Sequence, residues 1–238
     1  MIDRVILHIG LHHTGTTSFQ TFLNRYRDEL NAQGFQVYQP LNDGINAAEI
    51  TAAAQTSRAP RHVADVKKTI HDQCENAASH TLLMSAESLS NLSSCEDVGN
   101  LKSLFPSRIK NIMIILVLRD PVEWMERRVR GLKKFNDARK DVFPMDQEHA
   151  LQLFRKIENA YREKFENVHV INYQKNMVVC LCEICGIKSE SLNVDLRFHE
   201  TTRLKRYFQK YLPAILDVYS KYLARSGIGR LKRKIFNE

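Results

Sequence analysis

At 238 residues, 43% hydrophobic and 26% charged, the chain has ordinary globular composition, which argues against disorder, collagen and a disulfide scaffold. Its longest apolar run, Ile112 to Leu118, falls far short of the roughly 20 residues that a membrane-spanning helix needs. The formal net charge of +8 sits entirely in the tail, where residues 197–238 carry 11 Lys/Arg against 3 Asp/Glu. Such a block suits nucleic acid, anionic lipid or an anionic substrate, or is a solvated helix face.

Without a repeat, low-complexity stretch or Gly/Ser linker, the sequence reads as one domain over 1–238, ending in a basic helical segment over 197–238. A strand over 5–9 runs straight into Gly10, unlike a secretory signal, so the mature chain is expected to begin near Met1. A helix over 17–33 keeps Phe19, Phe22, Leu23, Tyr26 and Leu30 on one face and stops at Gly34. There follow a strand over 35–38, a helix over 63–77, strands over 81–85 and 109–118, helices over 122–135 and 147–165, a strand over 168–172 and a helix over 177–185. Strands that alternate with helices and are apolar on both faces imply an α/β fold, with a central, mostly parallel sheet flanked by helices. Such sheets bind ligands at the carboxyl ends of their strands. The segments 40–61 and 136–147 read as variable loops, suited to contact an acceptor.

In the tail, Phe208, Leu212, Ile215, Tyr219 and Tyr222 recur at helical spacing, with Pro213 marking a kink or a new start. The stripe docks onto the domain, or it faces a lipid or partner surface. Five cysteines without paired spacing, Cys74, Cys95, Cys180, Cys182 and Cys185, fit a reducing, cytoplasmic compartment. Cys182 and Cys185 form a single CxxC with no nearby His, and are expected as buried helix thiols and not as zinc ligands.

The strongest local signal is Gly10-Leu11-His12-His13-Thr14-Gly15-Thr16-Thr17-Ser18, between the first strand and the first helix. Glycines permit the turn, successive backbone N–H groups point inward, and the helix N-terminus adds positive dipole, so the loop suits a phosphate-like anion. The competing reading is an ordinary tight βα turn. The spacing Gly10 to Gly15 copies the nucleotide-triphosphatase loop GxxxxGK[ST], but Thr16 stands at the lysine. Asp120, between Arg119 and Pro121, reads as a strand-to-helix turn and not as a magnesium site.

The run from Leu7 to Gln20 resembles the opening of bacterial sulfotransferase-family proteins, whose usual form is HIGxxKTGTTSxQ. Three further echoes follow in the family's order, so that the resemblance spans residues 5 to 187: Leu82-Leu83-Met84-Ser85-Ala86-Glu87, Ile114 through Pro121, and Val170-Ile171-Asn172-Tyr173. The resemblance implies a P-loop-type nucleotide-binding fold. It also implies that Gly10, His13, Thr14, Gly15, Thr16 and Thr17 hold the 5′-phosphosulfate of 3′-phosphoadenosine 5′-phosphosulfate (PAPS), while Arg119 grips its 3′-phosphate. No metal is expected. Two positions depart from the pattern: the loop lysine is His13, and the serine eight residues after Arg119 is Arg127. An imidazolium replaces the ammonium only while protonated, since free histidine has a pKa near 6.5. Guanidinium recognises phosphate bidentately, which keeps Arg127 a candidate for the 3′-phosphate.

For the catalytic base the candidates are Glu87, at the sheet edge that carries the loop, and His12. Glu87 is otherwise a first-turn glutamate stabilised by a helix dipole, with Ser85 as cap. His8, inside a strand, reads as a satisfied core histidine or one supporting the site. The implied function is transfer of a sulfuryl group from PAPS to an acceptor hydroxyl, such as that of a carbohydrate or anionic glycan. The alternatives are a catalytically inactive nucleotide-binding relative and a P-loop kinase or nucleotide hydrolase. No specific nucleic-acid partner is expected, and the basic tail is a candidate for peripheral membrane contact.

Overall fold

Val5, Ile6, Leu7 and Ile9 are fully buried, and Ile112 through Val117 are at most 6% exposed. Consecutive positions on a strand point to opposite faces, so burial this complete requires a cover on both. The structure, a computed structural model, describes residues 1–11, 13–41, 47–55, 60–134 (side chains to 128), 146–190 and 192. In chain order these form β1 (Arg4–Gly10), α1 (Thr16–Arg25), α2 (Arg27–Ala32), β2 (Phe35–Val37), α3 (Ala48–Ala54), α4 (Pro60–Asn76) and β3 (Thr81–Ser85). A 3-10 turn (Glu87–Asn91), α5 (Cys95–Ser103), β4 (Asn111–Leu118), α6 (Pro121–Lys134), α7 (Gln147–Lys164), β5 (Asn167–Asn172) and α8 (Met177–Cys185) follow.

The strands lie in the order β2-β3-β1-β4-β5, and every pairing among the described residues is parallel. The first strand is therefore central. The chain crosses to β2 and returns to β3 on one side of β1, then places β4 and β5 on the other, so the direction of winding reverses at β1. Ligands of open parallel sheets collect at such a reversal, beyond the carboxyl ends of the strands. Register fixes what stands there. His8 pairs with Ser85, Gly10 with Val117, and Leu118 with Asn172, so the loop after β1, the turn after β3 and the segments after β4 and β5 emerge along one edge.

Two apolar layers cover the sheet. Val5, Leu7, Ile9, Ile112, Ile114 and Leu116 meet side chains of α3, α4, α5, α6 and α7, among them Ile70, Leu101, Trp124, Phe154 and Tyr161. Ile6, Met113, Ile115 and Val117 meet Phe19, Phe22, Leu30 and Leu181 of α1, α2 and α8. Cys182 and Cys185 lie in this second layer, almost inaccessible, and burial pushes both thiols up, Cys182 to about 12. They are packing residues, as their spacing implied. No described helix is long and apolar enough to cross a membrane.

Several boundaries differ from expectation for local reasons. The helix expected over 17–33 is broken at Tyr26 (φ −108°, ψ 30°), which divides α1 from α2. The next residue, Arg27, donates to Val37 O at 2.9 Å, and Leu30 packs with Phe35 and Val37, so the break lays α2 beside the short β2. The strand expected from 109 begins at Asn111, because Ile109 N donates to Pro106 O in a preceding turn. The fourth helix starts at Pro60 and not at 63; proline suits a first helical position because its missing N–H would have no partner there. Part of the loop expected over 40–61 is α3, and α5 lies where no element was expected. Segment 136–145 and the tail lie outside the described residues.

Candidate functional site

The loop after β1 is built around a glycine that admits no side chain. A Cβ on Gly10 would lie 2.2 Å from Thr16 Oγ1 and 2.5 Å from Thr14 Oγ1. Those two hydroxyls, 3.4 Å apart, occupy the space, and Thr14 ties the turn shut by donating from both N (3.2 Å) and Oγ1 (2.6 Å) to Leu11 O. His13 (φ 69°) and Gly15 (φ 81°) take left-handed backbone, which turns the chain from strand to helix within a few residues. Helix α1 then starts with no side-chain cap and no acidic residue in its first turn. A helix start of this kind can receive an anion through its dipole and the N–H groups ahead of Ser18, whose own N donates to Gly15 O. Thr14 is fully buried and Thr16 nearly so, whereas Thr17 and the His13 side chain are exposed.

The end of β4 holds the loop from the side. Leu11 N donates to Val117 O at 3.2 Å, and the Arg119 guanidinium donates to His13 O. Arg119 is only 5% exposed. Its guanidinium carbon stands 3.9 Å from the centroid of the Tyr173 ring, just beyond β5, and its Nη2 donates to Glu123 Oε1 at 2.9 Å. Its buried Nε has no hydrogen-bond partner among the described residues. Arg127 reaches the same Glu123 oxygen, through Nε at 3.2 Å and Nη2 at 3.0 Å. These two arginines hold the Glu123 carboxyl below the usual carboxylate range. Asp120 accepts from Glu123 N at 3.0 Å and so caps α6, whose first residue is Pro121, which is the turn its sequence context implied.

On the other side of β1, Glu87 is the first residue of the 3-10 turn after β3. Ser85 does not cap that turn, contrary to the alternative reading: no side chain caps it, and Ser85 Oγ lies 2.8 Å from His8 Nδ1. Gln20 of α1 donates to Ser85 O at 3.2 Å, and Ala86 N donates to His8 O at 3.1 Å. This buried network joins the loop's strand, its helix and the segment that carries Glu87. Among the described residues His8 is satisfied at one nitrogen alone; its Nε2, fully buried beside Phe19, finds no hydrogen-bond partner there, and burial pushes the imidazole pKa down to about 3.

Gly10, His13, Thr14, Gly15, Thr16, Thr17, Glu87, Arg119 and Arg127 thus stand on elements that converge at one sheet edge. His12 lies outside the described residues. Thr14 is spent on closing the loop, and the amino groups of Arg119 already meet protein acceptors. One residue at this edge, Glu123, was not among those expected from the sequence. Glu123 stands four positions from both arginines, a spacing that marks a helical ion-pair stripe. Tyr173 ends one of the motif echoes, but its contact with Arg119 had no sequence signal, because the two are distant in the chain; a Cβ on Gly15 would also lie 3.5 Å from the Tyr173 ring.

The family model described as a sulfotransferase domain matches residues 5–214. Among solved structures, a sulfotransferase from Alicyclobacillus acidocaldarius is similar in fold, with a TM-score of 0.50 at 12% identity over 90% of this chain and 93% of that one. The sulfotransferase domain of the Synechococcus PCC 7002 olefin synthase matches at a TM-score of 0.41 and 11% identity, over 78% of this chain and 74% of that one. No curated protein matches.

Proposed function

Because the chain belongs to the sulfotransferase-domain family, we propose that it moves a sulfuryl group from PAPS to an acceptor hydroxyl. The observation that carries this reading is the uncapped, acid-free start of α1 behind the Gly10–Gly15 loop, at the strand where the sheet reverses its winding. The first N–H groups of α1, with the hydroxyls of Thr16 and Thr17, cradle the 5′-phosphosulfate. Arg119 and Arg127 take the 3′-phosphate, for which Arg119 has a buried Nε without a hydrogen-bond partner among the described residues. Glu87 takes the acceptor proton as the acceptor oxygen attacks sulfur in line. As the new S–O bond forms, the S–O bond to the 5′-phosphate breaks, giving a sulfate ester and adenosine 3′,5′-bisphosphate. Protonated His13 supplies positive charge beside the leaving oxygen.

The basic tail, 11 Lys/Arg against 3 Asp/Glu, favours an anionic glycan as acceptor or contact with an anionic membrane surface. Adenosine 3′,5′-bisphosphate is expected to bind at least about tenfold more tightly than AMP, since a charge-assisted phosphate contact contributes roughly 1.5–3 kcal/mol. In calorimetry Arg119→Ala should abolish that preference. Equal affinity of the wild type for both nucleotides would sink the PAPS reading. A second reading, a nucleotide-binding protein without catalysis, is favoured by His13 at the lysine position. Turnover of labelled PAPS across an acceptor panel separates the two.

A further inference from the structure

Glu123 Oε1 accepts N–H groups from two guanidinium ions, at 2.9 Å from Arg119 Nη2 and at 3.2 and 3.0 Å from Nε and Nη2 of Arg127. Guanidinium donors converging on one oxygen are what a phosphate oxygen would meet there. We propose that Glu123 is an internal stand-in for the donor's 3′-phosphate, holding both arginines in place before the nucleotide arrives and leaving them when it binds. This rests on the PAPS reading above. It adds an affinity-setting residue that the reading does not contain.

Burial decides which partner moves. The Arg119 side chain is 4% exposed, fixed by the Tyr173 ring and the His13 carbonyl, whereas the Glu123 side chain is 43% exposed and has water to swing into. Arg127, 45% exposed, follows either anion. A phosphate monoester carries nearly two charges and three acceptor oxygens, against one charge on the carboxylate, so the nucleotide displaces Glu123. Binding is nevertheless weaker than the two arginines alone would give. The same competition helps adenosine 3′,5′-bisphosphate leave after transfer. AMP has no 3′-phosphate and does not enter the contest.

The test is calorimetry at low ionic strength, where exposed ion pairs are least screened, with wild type and Glu123→Gln against adenosine 3′,5′-bisphosphate and AMP. Glu123→Gln is expected to tighten the bisphosphate roughly three- to tenfold, with AMP changing by less than about twofold. A wild-type preference for the bisphosphate that Glu123→Gln leaves unchanged or narrows overturns this inference and spares the donor reading. Equal wild-type affinities overturn both. A measurement without mutation uses carbon-13 glutamate labelling. Saturating bisphosphate should raise the pKa of the Glu123 carboxyl, which the two arginines hold low in the free protein, and an unmoved titration would equally overturn the displacement.

Discussion

His8 shows how far a single motif residue can depart from its usual chemistry. Its Nδ1 meets Ser85 Oγ at 2.8 Å, its Nε2 has no hydrogen-bond partner among the described residues, and burial pushes its pKa from 6.5 to about 3. In the unfolded chain the imidazole takes a proton as pH falls through 6.5, while in the folded protein it resists. Between those values the unfolded state binds more protons, so stability declines as pH drops, by at most about 1.4 kcal/mol per unit from this residue. Above pH 6.5 the term is constant. Denaturant melts at pH 7, 6 and 5 should show wild-type stability falling more steeply than that of His8→Gln; parallel lines would mean that His8 takes up its proton as readily in the folded protein as in the unfolded chain. At this scale the loop was legible in the sequence, because its glycines and threonines fall within the eight positions from Gly10 to Thr17. Glu123 was legible in principle from its four-residue spacing to Arg119 and Arg127. The contact of Tyr173 with Arg119 was not, because it joins the ends of two different strands.

Elements were legible where a helix keeps one apolar stripe or a strand is buried throughout, and were missed where the signal is short. Helix α5 holds Gly99 and Asn100, both weak helix formers, yet its start was written in Ser94 and Asp97: Ser94 Oγ accepts from Asp97 N at 3.1 Å and donates to Asp97 Oδ2 at 2.7 Å. The seven residues of α3, largely alanine, show too little periodicity to be called without the packing of Ile50, Ala53 and Ala54 into the core. The break at Tyr26 was invisible because the apolar stripe continues across it; what ends α1 there is the approach of β2. The β1–α1 junction carries its own prediction. Gly10→Ala places a methyl group on the Thr14 and Thr16 hydroxyls, and is expected to cost about 1–3 kcal/mol in denaturant melts. It should also weaken bisphosphate binding by more than that loss of stability accounts for, through the shifted start of α1. Unchanged melting would show that the loop relaxes freely.

For the whole molecule, alternation of strands with helices revealed a parallel sheet, but strand order was beyond the sequence. Each inner strand is apolar on both faces, so periodicity carries no information on its neighbours. The order β2-β3-β1-β4-β5 arises from pairing across long separations: Arg4 lies opposite Asn111, and Arg119 closes on His13 O from 106 residues away. That separation sets a clock during synthesis. A ribosome adding roughly 5–20 residues per second needs about 5–20 s after making the loop before it has made Arg119. Until then the loop lacks both the strand that buries its base and the side chain that holds its turn. The segment from β1 to β3 therefore waits, with β1 open along one edge, as a ready substrate for holding chaperones. Ribosome-arrested chains ending before Asn111 should bind chaperone and retain no bisphosphate, while chains released through α8 should do the reverse. Nucleotide retention by the shorter chains would show that the first motif folds without its distant partner.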